Sequence, residues 1–428
     1  MVYFLNFMSI TNVPVLKRAR LYIATNRRLV AVLVVLLYWV VQNVWTWSPG
    51  TRDLAQVDAK IEAELSSNLH TFGAHLRHLN RLPAESATLR EKLTFYFPYY
   101  PEKPVPNQIW QTWKVDLEDD DFPKQYRRFQ KTWVEKNPDY VYHLIPDSVI
   151  EDFVASLYAN VPEVVRAYQL LPKNIMKADF FRYLVVYARG GTYSDMDTVC
   201  LKPIKDWATF DRDLIHAADN KADLSLIDPE ARTTPVGLVI GIEADPDRPD
   251  WHEWFSRRLQ FCQWTVQAKP GHPMLRELII RIVEETFRKQ HMGVLKRVEG
   301  KDSGADIMQW TGPGIFTDTL FDYLNNVASD GKLGDGYGVG SLFWRRHGKY
   351  KLKKTEIGKN NEPLHSEDQL INWRSLTNMD KPKIMGDVMV LPITSFSPNV
   401  GHMGSKSSSD RLAFVEHLFS GSWKPKNK

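Results

Sequence analysis

The longest apolar stretch of the chain lies near its N-terminus. Residues 29–41 are unbroken apolar or aromatic, and the stretch continues to residue 47. This length gives roughly 28 Å of helix at ~1.5 Å per residue, enough to cross a bilayer. Every charged residue before it is basic, whereas acidic residues first occur after it. By the positive-inside rule, the pattern predicts a cytoplasmic tail over residues 1–28 and a type II transmembrane anchor over residues 29–47.

A narrow stripe of apolar residues at helical spacing follows the anchor. It extends from residue 54 to residue 79 and predicts a helix that either pairs as a short coiled coil or packs on the rest of its own chain. Residues 98–106, PYYPEKPVP, have the composition of a semi-rigid linker. Together these patterns predict a stem over residues 48–106.

From residue 107 the pattern alternates between short runs rich in β-branched and aromatic residues and longer amphipathic runs. This alternation predicts an α/β domain with a Rossmann-like mixed sheet, helices on both faces, and ligands at the carboxyl ends of the strands. Charged, glycine-rich stretches at 296–304 and 330–340 predict loops. The predicted strands are 108–113, 140–145, 236–242 and 262–267, and the predicted helices are 124–136, 148–159 and 272–288.

Charge and cysteine content exclude some classes of function. The formal charge of +4 resides in the basic N-terminal tail and the remainder is close to neutral, so nucleic-acid binding gets no support. Cys200 and Cys262 are too few for a disulfide framework or a thiolate zinc site. Buried free thiols are expected, with a single disulfide as the alternative in an oxidising lumen.

The stretch around Asp195-Met196-Asp197 carries the strongest chemical signal. An apolar helical run, a Gly190-Gly191 break and a β-type run predict helix, turn and strand. On a strand both carboxylates share one face, where they suit a hard divalent ion that also grips a diphosphate. Two alternatives are a solvated turn and a phosphatase in which Asp195 accepts a phosphoryl group. The latter normally follows an apolar strand, which the polar lead-in before Asp195 does not resemble.

The string DFFRYLVVYARGGTYSDMDT, residues 179–198, resembles the donor-site signature of glycosyltransferase family 32. That signature is an Asp, an Arg three residues later, Gly-Gly, an aromatic residue and Asp-x-Asp. The similarity continues through IWQTWK, AKPGHPML, TGPGIFTD and TSFSPNVGHMGSKSS and covers about residues 105–425. It implies a nucleotide-sugar transferase fold of the GT-A type and a lumenal catalytic domain over residues 107–428.

The resemblance also implies an activity. We expect a Golgi membrane enzyme that transfers mannose from GDP-mannose to an N-glycan core in α-1,6 linkage, with Mn²⁺ or another divalent cation. The family also includes sphingolipid mannosyltransferases, so another acceptor stays open. A non-catalytic subunit of a mannan-polymerising complex is the alternative from a different class, and the stem leaves a homo- or hetero-oligomer open. The intact Asp179, Arg182, Asp195 and Asp197 argue against an inactive enzyme.

Several donor-site roles follow from the resemblance. Asp179 and Arg182 share one helix face at i and i+3, and the resemblance implies that they contact hydroxyl groups of the donor sugar and ribose. A surface salt bridge between them is the alternative. Tyr193 occupies the aromatic position of the signature and is assigned to the donor site.

Two further segments match the family near the donor. The resemblance implies that Trp113 stacks on the base and that Gln111 and Thr112 offer backbone contacts. A core tryptophan is the alternative, because Trp110 and Trp113 cannot both face the ligand. Gln263 matches the position beneath the β face of the sugar, with a buried amide that bridges strands as its alternative.

The metal ligands are expected to come from both ends of the domain. Asp197 is assigned as the direct ligand, and Asp195 as a bridge between ribose or sugar and metal-bound water. Two aspartates leave a divalent ion short of ligands, and Mn²⁺ accepts imidazole readily. His402, placed between Gly401 and Gly404, is therefore expected to complete the site, with a turn-capping loop histidine as the alternative.

The sequence offers no clear covalent nucleophile. Glu243 and Asp245 are candidates without support. Since an α-linked donor and an α product mean retention, front-face substitution is favoured. Electrostatic stabilisation of the departing diphosphate would then be the main catalytic effect.

Overall fold

The computed structural model describes residues 76–81, 86–207, 236–298, 303–328 and 371–421. The predicted anchor at 29–47, nearly all of the predicted stem stripe and the predicted loop at 330–340 lie outside the described residues. Across the described ranges, no helix has both the length and the apolar character that crossing a membrane requires.

The described chain alternates helices and strands from residue 89 onward. The helices are α1 (Leu89–Tyr96), α2 (Lys124–Lys136), α3 (Asp147–Leu157), α4 (Pro162–Leu170), α5 (Asn174–Arg189), α6 (Pro273–His291), α7 (Ser303–Trp310), α8 (Pro313–Ala328), α9 (Trp373–Leu376) and α10 (Ile393–Phe396). The strands are β1 (Gln108–Trp113), β2 (Val141–Pro146), β3 (Gly191–Ser194), β4 (Thr198–Cys200), β5 (Leu238–Ala244), β6 (Gln260–Phe261), β7 (Thr265–Ala268), β8 (Lys383–Met385), β9 (Val388–Leu391) and β10 (Val415–His417). The helix predicted at 124–136 has those bounds, whereas the strand predicted at 262–267 begins only at Thr265, as β7.

The main sheet is mixed. Its strand order is β2-β1-β3-β7-β5-β9-β8, and β6 pairs with β5. Strand β1 is parallel to β2 and β3, β5 is parallel to β9, and β7 is antiparallel to both β3 and β5. Strands β1, β3, β5 and β9 therefore run in one direction and end at one edge. A second, two-stranded sheet pairs β10 with β4.

Both faces of the main sheet are covered, as the sequence predicts. Alternate residues of a strand point to opposite faces, so Trp110 packs into one apolar cluster and Ile109 into another. The larger cluster lies under α3 to α8, and the smaller one contains Trp133 of α2 and Phe396 of α10. The expected mixed sheet with helices on both faces is confirmed.

The Gly190-Gly191 junction sets the position of everything that follows α5. Gly190 has φ +69° and Gly191 has φ +96°, a region that L side chains avoid. A Cβ on Gly190 would lie 2.6 Å from the Pro270 side chain, and one on Gly191 would lie 2.6 Å from the Gln108 carbonyl oxygen. Because the turn leaves no room for side chains, β3 enters the sheet directly against β1.

The predicted linker belongs to the folded domain. Leu93 of α1 is fully buried, and the buried Tyr99 hydroxyl donates to Asp387 Oδ2 at 2.6 Å. Arg90 pairs with Glu277 of α6 at 2.6 Å. The boundary predicted at residue 107 is therefore too late, because apolar burial and buried polar contacts already tie residues 89–106 to the sheet and α6.

Both cysteines are buried free thiols, which confirms the default expectation. Burial raises the pKa of the Cys200 thiol to about 12 despite a contact from Asn137. The alternative disulfide is not formed.

Candidate active site

The Asp-x-Asp tripeptide lies in a turn between two sheets, and not on a strand as the sequence suggests. Strand β3 ends at Ser194 and β4 begins at Thr198, whose N–H and hydroxyl both donate to the Asp195 carbonyl oxygen, at 3.2 and 2.6 Å. Met196 is buried against Phe122 and Tyr126. The turn therefore buries Met196 and brings the two carboxylates together. The sequence prediction had ascribed their proximity to the alternation of side chains along a strand.

A histidine from the C-terminal end of the domain joins the two aspartates. Ligand atoms of Asp195, Asp197 and His417 all lie within 4.8 Å of one another. His417 Nε2 is 3.1 Å from Asp197 Oδ1. The histidine reaches this position because β10 pairs with β4 and places His417 opposite Thr198.

The assignment of His402 as the third metal ligand is corrected. His402 is exposed, its carbonyl oxygen accepts from the Ser405 N–H at 3.1 Å, and it is not one of the three residues whose ligand atoms meet. The glycines around it form a surface turn, as the alternative interpretation held. The histidine whose ring lies beside the two aspartates is His417.

Donors around Asp197 keep its carboxylate ionised. Burial opposes ionisation, but hydrogen bonds from His417 and Ser420 outweigh it and lower the pKa of Asp197 to about 2. Ser420 contributes both its N–H, at 3.0 Å, and its hydroxyl, at 2.8 Å, to Asp197 Oδ2. The Ser420 hydroxyl in turn accepts from Tyr126 at 3.0 Å.

Asp179, Arg182, Asp195 and Gln263 converge on one buried network. Arg182 Nη1 lies 3.1 Å from Asp179 Oδ1, and Arg182 Nη2 lies 3.2 Å from Asp195 Oδ1. Arg182 also donates to Gln263 Oε1, and Gln263 Nε2 donates to Asp179 Oδ1 at 3.2 Å. The salt bridge considered as an alternative thus exists, but it is buried and extends to the Asp-x-Asp turn.

Burial and the neighbouring charges act in opposite directions on the pKa values of this network. Burial raises the pKa of Asp179 to about 6, against the opposing effects of Arg182, Gln263 and Thr311. Burial also raises the pKa of Asp195, again against Arg182. Both carboxylates contact the same guanidinium, that of Arg182. Its own pKa is raised by Asp195 and Asp179, although burial opposes this.

The carboxyl end of β1 supports the Asp-x-Asp turn through hydrogen bonds. Gln111 is buried, and its amide donates to the carbonyl oxygens of Ser194 and Asp195 at 3.3 and 3.1 Å. The Thr112 hydroxyl is 3.3 Å from the Tyr193 hydroxyl, which donates to Asp195 Oδ1 at 2.9 Å. The side chain of Gln111 therefore braces the Asp-x-Asp backbone.

The two tryptophans of β1 differ as expected. Trp110 is buried and stacks on His143 with ring centroids 4.1 Å apart. Trp113 is half-buried against Tyr126 at 4.3 Å, beside the tyrosine that reaches Ser420. Trp113 is thus the tryptophan on the ligand side of β1, and its stacking on a base remains a prediction.

His417, Ser420 and Trp264 lie at this site, although the sequence analysis does not predict them as site residues. The Trp264 ring stacks on His417 with centroids 4.3 Å apart, and so fixes the imidazole plane. The pairing of β4 with β10, more than 200 positions apart, has no local signal. For His417 itself a weak signal is present, because Glu416-His417 is an ionisable pair within an otherwise apolar run from Leu412 to Phe419.

The donor set fits a divalent transition-metal ion. Two carboxylates and one imidazole are ligand types that divalent metal ions accept, and these three residues could hold such an ion. Within the described part of the chain, His417 Nδ1 and Arg182 Nε are among the buried side-chain polar atoms without a hydrogen-bond partner. Such atoms cost free energy unless a ligand or water satisfies them.

Comparison with known proteins agrees with this site. A family described as the glycosyltransferase sugar-binding region containing a DXD motif matches residues 123–213. An initiation-specific alpha-1,6-mannosyltransferase of Candida albicans is 46% identical over 365 residues, covering 85% of this chain and 84% of that protein. The Saccharomyces cerevisiae protein of the same name is 42% identical, covering 81% and 84%. Inositol phosphoceramide mannosyltransferase 3 of Schizosaccharomyces pombe is 35% identical, but over only 22% of this chain and 25% of that protein.

The turn, its buried arginine and the matching sugar-binding region define a DXD-containing glycosyltransferase. The chain belongs to the glycosyltransferase family 32 enzymes that include the initiation-specific alpha-1,6-mannosyltransferases. This membership removes the phosphatase alternative. The polar residues before Asp195 do form a buried strand, β3, but its sequence GTYS is not the apolar strand that a phosphatase nucleophile normally follows.

Proposed function

We propose that the chain transfers mannose from GDP-mannose to an N-glycan core in α-1,6 linkage, with retention and with Mn²⁺ as the preferred ion. The observation that carries the proposal is the cluster of Asp195, Asp197 and His417 beside the buried Arg182. Extensive similarity to two initiation-specific alpha-1,6-mannosyltransferases supports the sugar and the linkage.

The three-residue cluster is proposed to hold the ion. When bound, a divalent ion neutralises the charge that develops on the departing diphosphate. Asp197 is suited to this role because its pKa of about 2 keeps it ionised at neutral pH. His417 is held by Asp197 and by stacking on Trp264, so its ring does not need to reorient.

The buried network is proposed to orient the donor sugar. Arg182 is fixed by Asp179 and Asp195, and Asp179 also accepts from the Thr311 hydroxyl at 3.0 Å. Gln263 is held at both ends of its amide, since its oxygen accepts from Tyr183 at 2.8 Å. A rigid constellation of this kind lowers the entropy cost of reaching the reactive geometry.

The retaining step is proposed to be a front-face substitution. The bond from the anomeric carbon to the diphosphate oxygen breaks, the acceptor oxygen bonds to the same face of that carbon, and the acceptor proton passes to the departing diphosphate. Gln263, an amide, stands where a covalent mechanism would need a carboxylate. Glu243 is a poorer nucleophile because burial raises its pKa, and Gln260 Nε2 donates to it at 2.9 Å.

An N-glycan acceptor is favoured over a sphingolipid. The relatives named for initiation of α-1,6 mannosylation match more than four fifths of this chain, whereas the inositol phosphoceramide enzyme matches 22% of it. A role as a non-catalytic subunit is not favoured, because all three residues that are proposed to hold the ion are present.

The enzyme is proposed to be a type II membrane protein of the Golgi with its catalytic domain in the lumen. The charge asymmetry around residues 29–47 supports this orientation. Protease added to sealed Golgi vesicles should then leave the catalytic domain intact until detergent is added. Digestion of the domain in sealed vesicles would contradict the orientation.

One experiment tests the activity as a whole. The full chain is incubated with Mn²⁺, a panel of nucleotide sugars and a trimmed high-mannose glycan, and the product linkage is determined. We expect transfer from GDP-mannose alone and a new α-1,6-linked mannose. Transfer from another nucleotide sugar, or another linkage, would refute the proposal.

A further inference from the structure

The residues at the carboxyl ends of the parallel strands lie in a row along one edge of the main sheet. Across this edge, Trp113 ends β1, Asp195 follows β3, Gln263 precedes β7, Asp245 follows β5 and Ile393 follows β9. Neighbouring strands lie about 4.8 Å apart, so the end of β5 is roughly 10 Å from the end of β3. Beyond the base, metal and donor-sugar positions, the row therefore continues for one further sugar unit.

A cavity lies at the far end of this row. Its volume is about 200 Å³, below the about 300–1,000 Å³ of pockets that enclose drug-sized ligands. It is thus suited to one sugar unit and too small for a nucleotide sugar. The lining residues that matter here are Ile242, Asp245, Asp380, Met403, Lys406 and Asp410.

The cavity wall is built by a buried carboxylate. Asp245 accepts from Arg258 at 3.0 Å, from the Thr377 hydroxyl at 2.9 Å and from the Asn378 N–H at 2.7 Å. Its own N–H donates to Met403 Sδ at 3.3 Å. Asp245 therefore joins the 377–380 segment and the Met403 loop to the end of β5, and holds the cavity open between them.

The charges of the cavity select a neutral, hydroxyl-rich ligand. Three carboxylates face one lysine among the lining residues, which disfavours a phosphate. Among the residues that the structure describes, the metal-type cluster is the one at the Asp-x-Asp turn, so these carboxylates do not form a cation site. Lys406 Nζ lies 3.8 Å from Asp410 Oδ2, at the long limit of an ion pair, and both groups can still bind hydroxyls.

Glu243 links the cavity to the donor site. It lies on β5, two positions before Asp245, which follows the end of that strand. Strand β5 neighbours β7, and β7 begins two positions after Gln263, so the end of β5 is one strand away from this donor-site amide. A sugar in the cavity would therefore lie on the β5 side of the donor sugar.

We propose that this cavity binds one hexose of the acceptor glycan and presents its neighbouring hydroxyl to the donor site. The inference rests on the proposed function and names the subsite of its acceptor. Asp380, Lys406 and Asp410 hydrogen-bond the hydroxyl groups, and Ile242 and Met403 pack against the C–H face of the ring. The acceptor thus approaches from the β5 and β9 side, opposite the base-binding end of the row.

Asp380→Asn and Lys406→Met test the subsite with the full chain. Both side chains lie at the surface, and Lys381→Met is the matched control, because Lys381 is exposed, adjacent in sequence and outside the cavity lining. The KM for the trimmed high-mannose glycan should rise about tenfold or more in both variants, the loss expected for one hydrogen bond to a charged group. The KM for GDP-mannose, and the slow hydrolysis of GDP-mannose without glycan, should match the wild type.

The outcomes separate the subsite from the activity. An unchanged glycan KM in both variants would overturn the subsite while the proposed function stands. A parallel rise in the KM for GDP-mannose would assign the cavity to the donor and would also overturn it. A wild-type protein that neither hydrolyses nor transfers mannose from GDP-mannose would refute the proposed function and, with it, the subsite.

Discussion

Two aspartate–histidine pairs lie at opposite ends of the parallel strands of the main sheet. Asp197 and His417 meet at 3.1 Å beyond the carboxyl ends of the parallel strands, whereas Asp387 and His272 meet at 3.3 Å at the amino end of β9. In both pairs burial opposes the ionised carboxylate, but the histidine and neighbouring hydroxyls outweigh it and lower the pKa of the aspartate.

The partners of each pair show what separates a structural pair from a ligand site. Asp387 also accepts from Tyr99 at 2.6 Å and Tyr323 at 2.8 Å, and His272 is fully buried and caps α6 by accepting from the Met274 N–H. These contacts fill the coordination of Asp387 from within the protein. Around Asp197, by contrast, a second carboxylate lies within 4.8 Å and the side chains are only partly buried. A lowered pKa alone would not distinguish the two.

Asp197→Asn should have the largest effect on activity. Mannose transfer should fall about 1,000-fold, because the metal contributes several kcal/mol to stabilisation of the leaving charge and about 1.4 kcal/mol corresponds to a factor of ten. The thermal midpoint of unfolding should stay close to that of the wild type. Initial rates with saturating Mn²⁺ measure the effect, and a chelator should reduce the wild type similarly. Full activity in metal-free buffer would remove the metal from the mechanism.

Asp387→Asn should instead affect stability. The change should cost about 1 to 3 kcal/mol of unfolding free energy, since Asn keeps only one of the two acceptor oxygens and leaves a buried donor without a partner. Urea unfolding measures the loss, and transfer per folded molecule should be nearly unchanged. Asp139→Asn, at an exposed position, is the control. If Asp387→Asn lowered transfer while leaving stability intact, the contrast between the two pairs would be wrong.

His417→Ala should weaken Mn²⁺ binding about tenfold and lower the rate at limiting metal, with partial recovery at high Mn²⁺. One ligand of three is lost, while both carboxylates remain. The matched control is His402→Ala, which removes the histidine that the structure places at the surface. A metal dependence altered by His402→Ala and not by His417→Ala would restore the original assignment.

The smallest effect concerns pH and Asp179. Its pKa of about 6 predicts that kcat/KM falls below pH 6 as the carboxylate that holds Arg182 is protonated, and that Asp179→Asn lacks this dependence. Because the pKa of Asp179 in the folded state exceeds its ordinary value of 3.8, the folded state binds this proton more tightly than the unfolded chain does. The contribution of Asp179 to stability therefore decreases as pH rises from about 4 to about 6.

Much of the donor side could be predicted because its residues are close in sequence. Asp179, Arg182, Asp195 and the two glycines lie within 17 positions, and helix and turn geometry bring them together locally. The sheet with both faces covered also followed from hydrophobic periodicity. The histidine beside the two aspartates could not be predicted, because a glycine-flanked histidine and a strand histidine look equally plausible until β10 is paired with β4.

The predicted linker failed for a related physical reason. Proline content indicates a stiff, extended segment, but it carries no information on what the segment packs against. The Tyr99 hydroxyl is held by Asp387, directly before β9, and Leu93 of the preceding helix packs into the larger apolar cluster. Local composition therefore did not indicate the place of this segment in the folded domain.

The pairing of β4 with β10 also bears on how the protein matures in the cell. Residues 195–197 leave the ribosome long before residues 415–420, so a nascent chain holds the two aspartates without His417 or Ser420. The cluster of Asp195, Asp197 and His417 is completed only when the last strand of the described chain docks. Translation products that stop before that strand would carry the full DXD signature without this histidine, so the complete cluster is a property of the finished polypeptide.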